Sequence, residues 1–313
     1  MEHDQGQSHS HSANKKTLSI SLVIITAYMV IEVIGGLITN SLALLADAGH
    51  MLSDALSLFI ALMAFQFSSR EADYSKTFGY KRFEILAAVI NGATLILVSA
   101  YIIYEAIQRF QNPPEIASSG MLLIAFIGLL VNALVAWIML RGSDVKDNLN
   151  MRGAYLHVVS DMLGSVAAIM AALLTMIFGW GWADPLASVM VAVLVLRSGY
   201  LVTKSSVHVL MEGTPSNVDM EQVTETILNT EGIYGMHDLH VWTITSGLNA
   251  LTCHAVVNEN MHIEESERIL HKIEHALKHL NIHHVTIQME TPAHLHDSSI
   301  LCVAQAAPSA HDH

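Results

Sequence analysis

The segment NSLALLADAGHMLSD, residues 40–54, places His50 and Asp54 four residues apart inside a stretch that is apolar enough to cross a bilayer. The segment LHVVSDMLG, residues 156–164, repeats the arrangement with His157 and Asp161. Residues at positions i and i+4 share one helix face, so two such helices facing each other present two imidazoles and two carboxylates to one point. The pairs therefore predict a tetrahedral intramembrane site for a divalent cation.

Composition places the chain in the membrane class. It has 313 residues, 52% of them hydrophobic and 14% charged, and a mean hydropathy of +0.43, which is more apolar than a soluble domain usually is. The formal net charge of −13 falls mostly after residue 210, so nucleic acid is not an expected partner. Six apolar segments approach the roughly 20 residues that a spanning helix needs: 17–38, 42–67, 83–107, 119–140, 154–178 and 185–204.

The distribution of basic residues predicts the orientation. They precede the first apolar segment and lie between segments 2 and 3 and between segments 4 and 5, whereas the opposite loops hold only Arg109. Because cytoplasmic loops carry the excess of lysine and arginine, both termini are expected in the cytoplasm, with Thr39–Ser41 and Gly179–Asp184 outside. The chain is therefore predicted to be an integral membrane protein with six spans, in the cell (inner) membrane if its source is bacterial.

After residue 210 the pattern becomes that of a small soluble domain. Amphipathic runs near 219–230 and 264–280 and strand-like runs near 236–245, 250–258 and 284–289 give the order αββαβ. The predicted fold is an all-α six-helix transmembrane bundle followed by a cytoplasmic α+β domain of ferredoxin-like type. The predicted domains are a disordered histidine-containing tail (1–16), the bundle (17–210), a cytoplasmic metal-binding regulatory domain (211–293) and a second disordered tail (294–313).

Two histidines and two aspartates favour zinc, cadmium or cobalt over magnesium and calcium, because the latter prefer oxygen ligands alone. Protons compete with the metal for imidazole nitrogen, so such a site can couple metal export to proton entry. Alternating access would expose the four ligands first to one side of the membrane and then to the other. Zn²⁺ is then the transported substrate and protons the counter-substrate, with no organic cofactor.

Other interpretations of the pairs remain open from the residues alone. Each pair could be a hydrogen bond between packed helices that lines a polar seam. An intramembrane metalloenzyme would need an open coordination position and a general base, and four ligands leave no obvious place for either. A metal-gated channel would need several weak sites along a pore, and downhill uptake would use the same helices without proton coupling. A transporter rather than an enzyme is expected.

Several segments resemble the cation diffusion facilitator family in its zinc-transporting branch. They are residues 40–54, residues 156–161, FGYKRFE (78–84), Asp184-Pro185 and LMEGTP (210–215). The resemblance implies a homodimeric metal/proton antiporter in the lipid bilayer, with six helices and a cytoplasmic αββαβ domain. It also implies that His50, Asp54, His157 and Asp161 occupy the transport-site positions. Within this resemblance, a histidine at position 50 indicates a site that prefers zinc and also accepts cadmium.

The cytoplasmic domain is rich in histidine, and strand pairing is expected to bring His254, His283 and Glu290 together. The resemblance implies that these three bind regulatory zinc, with His237 as a further candidate. A second possibility is the stripe formed by His271, His275 and His279, at helical spacing, which could equally be solvated.

The loop between segments 2 and 3 is not expected to bind metal. Where some relatives carry an aspartate and two histidines, the matching positions here are Asp73, Lys76 and Tyr80. Charge pairs at the membrane surface, formed by Lys81, Arg82 and Glu84, are the favoured interpretation of the loop.

Overall fold

A computed structural model of the chain describes residues 4–67, 72–142, 149–293 and 300–301. The side chains at 4–18, 54, 57–58, 60–67, 142, 149–157 and 160 lie outside that description. The chain divides into two compact units, one formed by Met1–Glu71 with Leu86–Lys204 and the other by Ala72–Ile85 with Ser205–His313. The loop between the second and third helices thus belongs to the C-terminal unit.

All six apolar segments are helical. The helices are α1 (Asp4–Thr39), α2 (Leu42–Phe67), α3 (Phe83–Gln111), α4 (Ser118–Gly142), α5 (Leu149–Phe178) and α6 (Ala183–Leu210). By length and composition, α3, α6 and the described apolar parts of α1, α4 and α5 are long enough to cross a membrane. Only the first half of α2, Leu42–Ser53, has described side chains throughout, and it is apolar but short. The sixth span therefore stays a prediction.

Helix α1 begins inside residues 1–16, the region predicted to be a tail. The structure continues the helix back to Asp4. No proline interrupts residues 4–39, and each added residue extends an existing helix at the cost of ordering one residue, which is easier than starting a new helix.

The second helix lies at the centre of the bundle, because its buried side chains enter three separate core clusters. Leu44 packs in a cluster with residues of α4, α5 and α6. Met51 shares a cluster with α1, α4 and α5, and Ala46 shares one with α3 and α6. Large apolar side chains such as Leu97 stay exposed on the outer faces of the bundle, as expected for surfaces that meet lipid.

The C-terminal unit has the predicted αββαβ order. Its elements are α7 (Met220–Leu228), β1 (Gly235–Thr245), β2 (Leu248–Val256), α8 (Ile263–His279) and β3 (Ile282–Glu290). Strand β2 is central, pairing antiparallel with β1 and parallel with β3. The β1–β2 turn consists of Ser246 and Gly247, and Gly247 adopts a φ of +78°, which glycine accepts without strain.

One face of this sheet is covered by the two helices. Val223 and Ile227 of α7 and Ile273 and Leu277 of α8 are buried in the same core as the apolar side chains of the strands. Histidines and acidic residues of the sheet are therefore concentrated on positions outside this core.

The predicted disordered tail at 294–313 falls mostly outside the described residues, which include only Ile300 and Leu301 of it. The Leu239 backbone N–H donates a hydrogen bond of 2.9 Å to the Ile300 carbonyl. This contact lies at β1, one of the two edge strands of the sheet.

Candidate metal sites

The intramembrane candidate site lies where α2 faces α5. Helix α2 carries His50 and Asp54, and α5 carries His157 and Asp161. The His50 Nε2 lies 3.0 Å from Asp161 Oδ1, with side-chain exposures of 21% and 7%. The structure thus brings together one member of each predicted pair. The side chains of Asp54 and His157 lie outside the described ones.

The beginning of α2 is held by a carboxylate from α6. The fully buried Asp184 accepts hydrogen bonds from the Ser41 hydroxyl at 2.6 Å and from the backbone N–H groups of Leu42 and Ala43 at 2.9 and 3.2 Å. A negative group is stabilised there, because the first N–H groups of a helix have no partner within it and carry a partial positive charge. The start of α2, two turns before His50, is therefore fixed to α6.

Close packing also surrounds the site. A Cβ placed on Gly49, next to His50, would lie 3.1 Å from Val98 of α3. A Cβ on Gly164, three residues after Asp161, would lie 2.6 Å from Asp47 Oδ1. Glycine at position 164 therefore permits the close approach of α5 to α2.

The cytoplasmic candidate site is a group of three side chains on the sheet. His254 Nδ1 lies 2.8 Å from Glu290 Oε1, and His237 Nε2 lies 3.4 Å from Glu290 Oε2. One ligand atom from each residue lies within 4.8 Å of the other two, and this is the only such group of three among the described residues. His237 and Glu290 are each 6% exposed.

Strand register produces this group. His237 of β1 is paired with His254 of β2, and Val256 of β2 is paired with Glu290 of β3. His254 and Val256 are two residues apart, so their neighbours on both sides point to the same face of the sheet. Three strands thus deliver a carboxylate and two imidazoles to one point, a ligand set that suits zinc.

A bulge in β1 adds a second carboxylate. The register of β1 against β2 shifts between His237 and His240, and Asp238 within that interval has a φ of +53°. Asp238 Oδ2 lies 3.8 Å from His254 Nε2, and Asp238 Oδ1 lies 3.2 Å from His240 Nε2. The bulge therefore extends the site toward solvent with a further oxygen ligand.

Two family models match most of the chain. Residues 18–211 match the model of the cation efflux transmembrane domain, and residues 215–292 match that of the cation efflux protein cytoplasmic domain. The chain belongs to the cation efflux family. Like the family, it is a membrane transporter and not an enzyme, so the metalloenzyme alternative is excluded.

Curated relatives of this cation efflux protein are similar over nearly their whole length. The cadmium, cobalt and zinc/H(+)-K(+) antiporter of Bacillus subtilis (strain 168) is 67% identical, over 95% of this chain and 96% of the relative. The metal cation efflux system protein CzcD of Cupriavidus metallidurans (strain CH34) is 44% identical, over 91% and 90%. A solved metal-bound C-terminal domain of the CzcD transporter is 39% identical, covering 23% of this chain and 99% of that one, with a TM-score of 0.22.

The structure does not bring His283 into the cytoplasmic group, and this part of the expectation was wrong. In the parallel β2–β3 ladder, His254 is paired with Gln288, five residues beyond His283. At a rise of about 3.3 Å per residue, His283 is too far along the strand to share a ligand position with His254. Gln288 lies at the site instead, and its Nε2 donates to Glu290 Oε1 at 2.7 Å.

The histidine stripe of α8 is on the solvent side. His271, His275 and His279 are exposed, and the rings of His275 and His279 lie 5.1 Å apart. Among the side chains that the structure describes, these three do not form a group with ligand atoms within reach of one another. This geometry favours the solvated interpretation of the stripe.

The loop between α2 and α3 uses its charges for structure. Asp73 accepts hydrogen bonds from Ser75, Lys76 and Tyr80, and bonding from Ser75 and Lys76 lowers the pKa of its carboxyl. Arg82 pairs with Glu212 at 3.1 Å. The Glu84 carboxylate accepts hydrogen bonds from Thr245 at 3.0 Å and Ser246 at 2.6 Å. The loop is thereby attached to the C-terminal domain. Arg82 forms a charge pair, whereas the described partners of Glu84 are two hydroxyl groups.

Two residues of the cytoplasmic site were missed by the sequence analysis. Asp238 directly follows His237, but only the bulge turns it toward His254, and a strict two-residue alternation would point it away. Gln288 lies two residues before Glu290 and thus on the same face, a signal that was present in the sequence. The neighbouring Cys253 faces the core, and burial raises the pKa of its thiol to about 12, so it is a poor metal ligand at neutral pH.

Proposed function

We propose that this chain exports zinc, and also cadmium, from the cytoplasm in exchange for protons. The metal binds through His50, Asp54, His157 and Asp161, and alternating access carries it across the membrane. The observation that supports this proposal most is the 3.0 Å contact between His50 and Asp161, one residue from each pair, across α2 and α5. The name of the B. subtilis relative, an antiporter of cadmium, cobalt and zinc, agrees with the substrate class.

The same contact suggests how protons are coupled to metal. A hydrogen bond between an imidazole nitrogen and an ionised carboxylate contains one proton, because the carboxylate can only accept. When both ring nitrogens of His50 carry protons, a cation that binds His50 Nε2 and Asp161 displaces the Nε2 proton. Metal binding from the cytoplasm then releases a proton, and a proton arriving from outside helps to expel the metal.

The position of α2 suits an alternating mechanism. This helix contributes to all three core clusters of the bundle and is fixed to α6 at its beginning by Asp184. Rocking of α2 relative to α5 would open and close the four-ligand site. Gly49 lets α2 approach α3 closely, and Gly164 lets α5 approach α2 closely, without a side chain that would block the movement.

The cytoplasmic group is proposed to bind regulatory zinc through His237, His254 and Glu290. The domain matches the cytoplasmic domain model of the family, and we propose that it joins two copies of the chain into a homodimer. Zinc neutralises the buried Glu290 and would reduce the repulsion between two acidic protomers. We also propose that both termini and this domain lie in the cytoplasm, and that the bundle lies in the cell membrane, which is the inner membrane if the source is bacterial.

The test is zinc flux into proteoliposomes of the purified chain under an imposed pH gradient. We expect the wild type to move zinc in the direction opposite to the proton flow. Asp161→Ala should lose this zinc flux. Asp73→Ala, which changes an exposed aspartate outside the site, should keep it. Flux that ignores the gradient would indicate a channel or downhill uptake. Flux that survives in Asp161→Ala would rule out the four-ligand site.

A further inference from the structure

The bundle contains a second buried acidic residue that the metal site does not use. Glu32 lies on α1 with no exposed surface. The Tyr28 hydroxyl, one helical turn earlier, lies 3.3 Å from Glu32 Oε1 and 2.8 Å from the Ile124 carbonyl of α4. An ionisable group in the membrane interior is costly to keep, so its presence suggests a function.

The side chain that faces Glu32 across the helix interface is another acid. Asp47 of α2 is 3% exposed, and its carboxyl lies within hydrogen-bond reach of the Glu32 carboxyl. Gly164 of α5 closes the other side, since a Cβ there would lie 2.6 Å from Asp47 Oδ1. The described titratable side chains that act on Glu32 are Asp47 and Tyr28, and neither is basic.

Two ionised carboxylates cannot hydrogen-bond to each other, because both only accept. The second oxygen of Glu32, Oε2, is fully buried and has no donor among the described residues. A proton on one of the two acids would provide the missing donor and would remove the repulsion between two like charges in a poorly solvated place. The ligand that this pair requires is therefore a proton.

We propose that Glu32 and Asp47 share one exchangeable proton and form a proton-carrying site separate from the four-ligand metal site. The proposal rests on the proposed function, because it gives the exporter a second group that carries the counter-substrate. Asp47 lies one helical turn before His50 on α2, so a movement of α2 acts on both sites. When α2 moves away from α1, water enters, the acid releases its proton to water and the two carboxylates separate.

Close packing distinguishes a proton from a larger cation at this pair. Tyr28 is 2% exposed, and a Cβ on Gly128 would collide with its hydroxyl. Helices α1, α2, α4 and α5 thus meet tightly around the pair. A potassium ion would need several oxygen ligands and room that the packing at Gly128 and Gly164 does not leave. Dependence on potassium instead of protons is accordingly one of the outcomes to be tested.

The experiment measures protons moved per zinc in proteoliposomes of the full chain, with a pH dye inside and Zn²⁺ as the probe. We expect Glu32→Gln and Asp47→Asn each to transport zinc with about one proton fewer per zinc than the wild type, and with a flatter pH profile. Ser21→Ala, a variant at another buried polar position of α1, should keep the wild-type ratio. An unchanged ratio and pH profile in either amide variant would overturn the proposal. Wild-type zinc transport that depends on a potassium gradient and not on a proton gradient would overturn it as well.

A second measurement covers the case in which the amide variants do not fold. Infrared spectra of the wild type with ¹³C-labelled glutamate and aspartate carboxyls should show a protonated-carboxyl band at neutral pH that shifts with the label. Absence of that band would overturn the proton-sharing pair. If the band is present but the wild type moves zinc without any proton or potassium dependence, the pair exists and the proposed antiport is wrong.

Discussion

The intramembrane and cytoplasmic candidate sites use similar side chains on different supports. In the bundle, His50 and Asp161 meet across two helices whose relative position depends on side-chain packing. In the C-terminal unit, His237, His254 and Glu290 lie on three strands whose spacing is fixed by backbone hydrogen bonds. A site on helices can open when one helix moves, whereas a site on a sheet keeps its geometry. The first arrangement suits a metal that must be released, and the second suits a metal that is held and sensed.

The largest expected difference between the two sites is in transport. His50→Ala should reduce zinc flux by about a hundredfold or more, because a site that loses one of four ligands binds metal poorly. His254→Ala should leave flux at saturating zinc close to that of the wild type. Both are measured in the same proteoliposome assay. A reversed result would mean that the cytoplasmic group, and not the bundle, carries the transported metal.

The next effect concerns zinc affinity in the cytoplasmic group. In a chain that already carries Asp161→Ala, Glu290→Gln should weaken zinc binding by at least about tenfold, since Glu290 contacts both imidazoles. His283→Gln is the matched control and should change nothing. Calorimetric titration of the purified chain in detergent measures both. Equal losses in the two variants would mean that the described strand register does not determine the site.

A smaller effect is expected where α2 is fixed to α6. Asp184→Asn keeps the shape but loses the charge that accepts three hydrogen bonds, which should reduce stability by about 2 kcal/mol. Ser188→Ala, on the same helix, loses only a bond to the helix backbone and should have less effect. Thermal unfolding in detergent compares them. If the two variants unfold at the same temperature, Asp184 does not stabilise the packing of α2 against α6.

The smallest effect should come from the exposed contact of the loop in the C-terminal unit. Ser246→Ala removes one hydroxyl from Glu84, while Thr245 still donates to it. We expect a loss of about 0.5 kcal/mol, because exposed hydrogen bonds exchange readily with water. Hydrogen exchange at the β1–β2 turn measures it, with Ser266→Ala as a surface control. A loss as large as that of Asp184→Asn would show that exposed loop bonds hold the unit as firmly as buried ones do.

Most of the fold followed from the sequence because each element had a strong periodic or apolar signal. The ends of the six apolar segments and of the αββαβ elements agree with the structure to within about six residues, except that α1 extends back to Asp4. Membership of the loop 72–85 in the C-terminal unit was not predictable, since it depends on contacts between Glu84 and residues more than 160 positions away.

The sites were predicted less completely. Spacing alone placed His50 and Asp161 on facing helices, because an i, i+4 pair has one geometry on a helix. Strand partners depend on the register of the sheet, which the sequence alone does not determine. A register error of five residues put His283 in the position that Gln288 occupies. The bulge at Asp238 and the approach of Glu32 to Asp47 likewise arise from tertiary contacts.

The bond between Leu239 and Ile300 protects an otherwise open edge. Strand β1 is one of the two outer strands of a three-stranded sheet, and an outer strand with open backbone groups can recruit strands from other molecules. Ile300 occupies one position on that edge. A chain that ends before Ile300 would leave the Leu239 N–H group open to strands of other molecules and would be more prone to self-association.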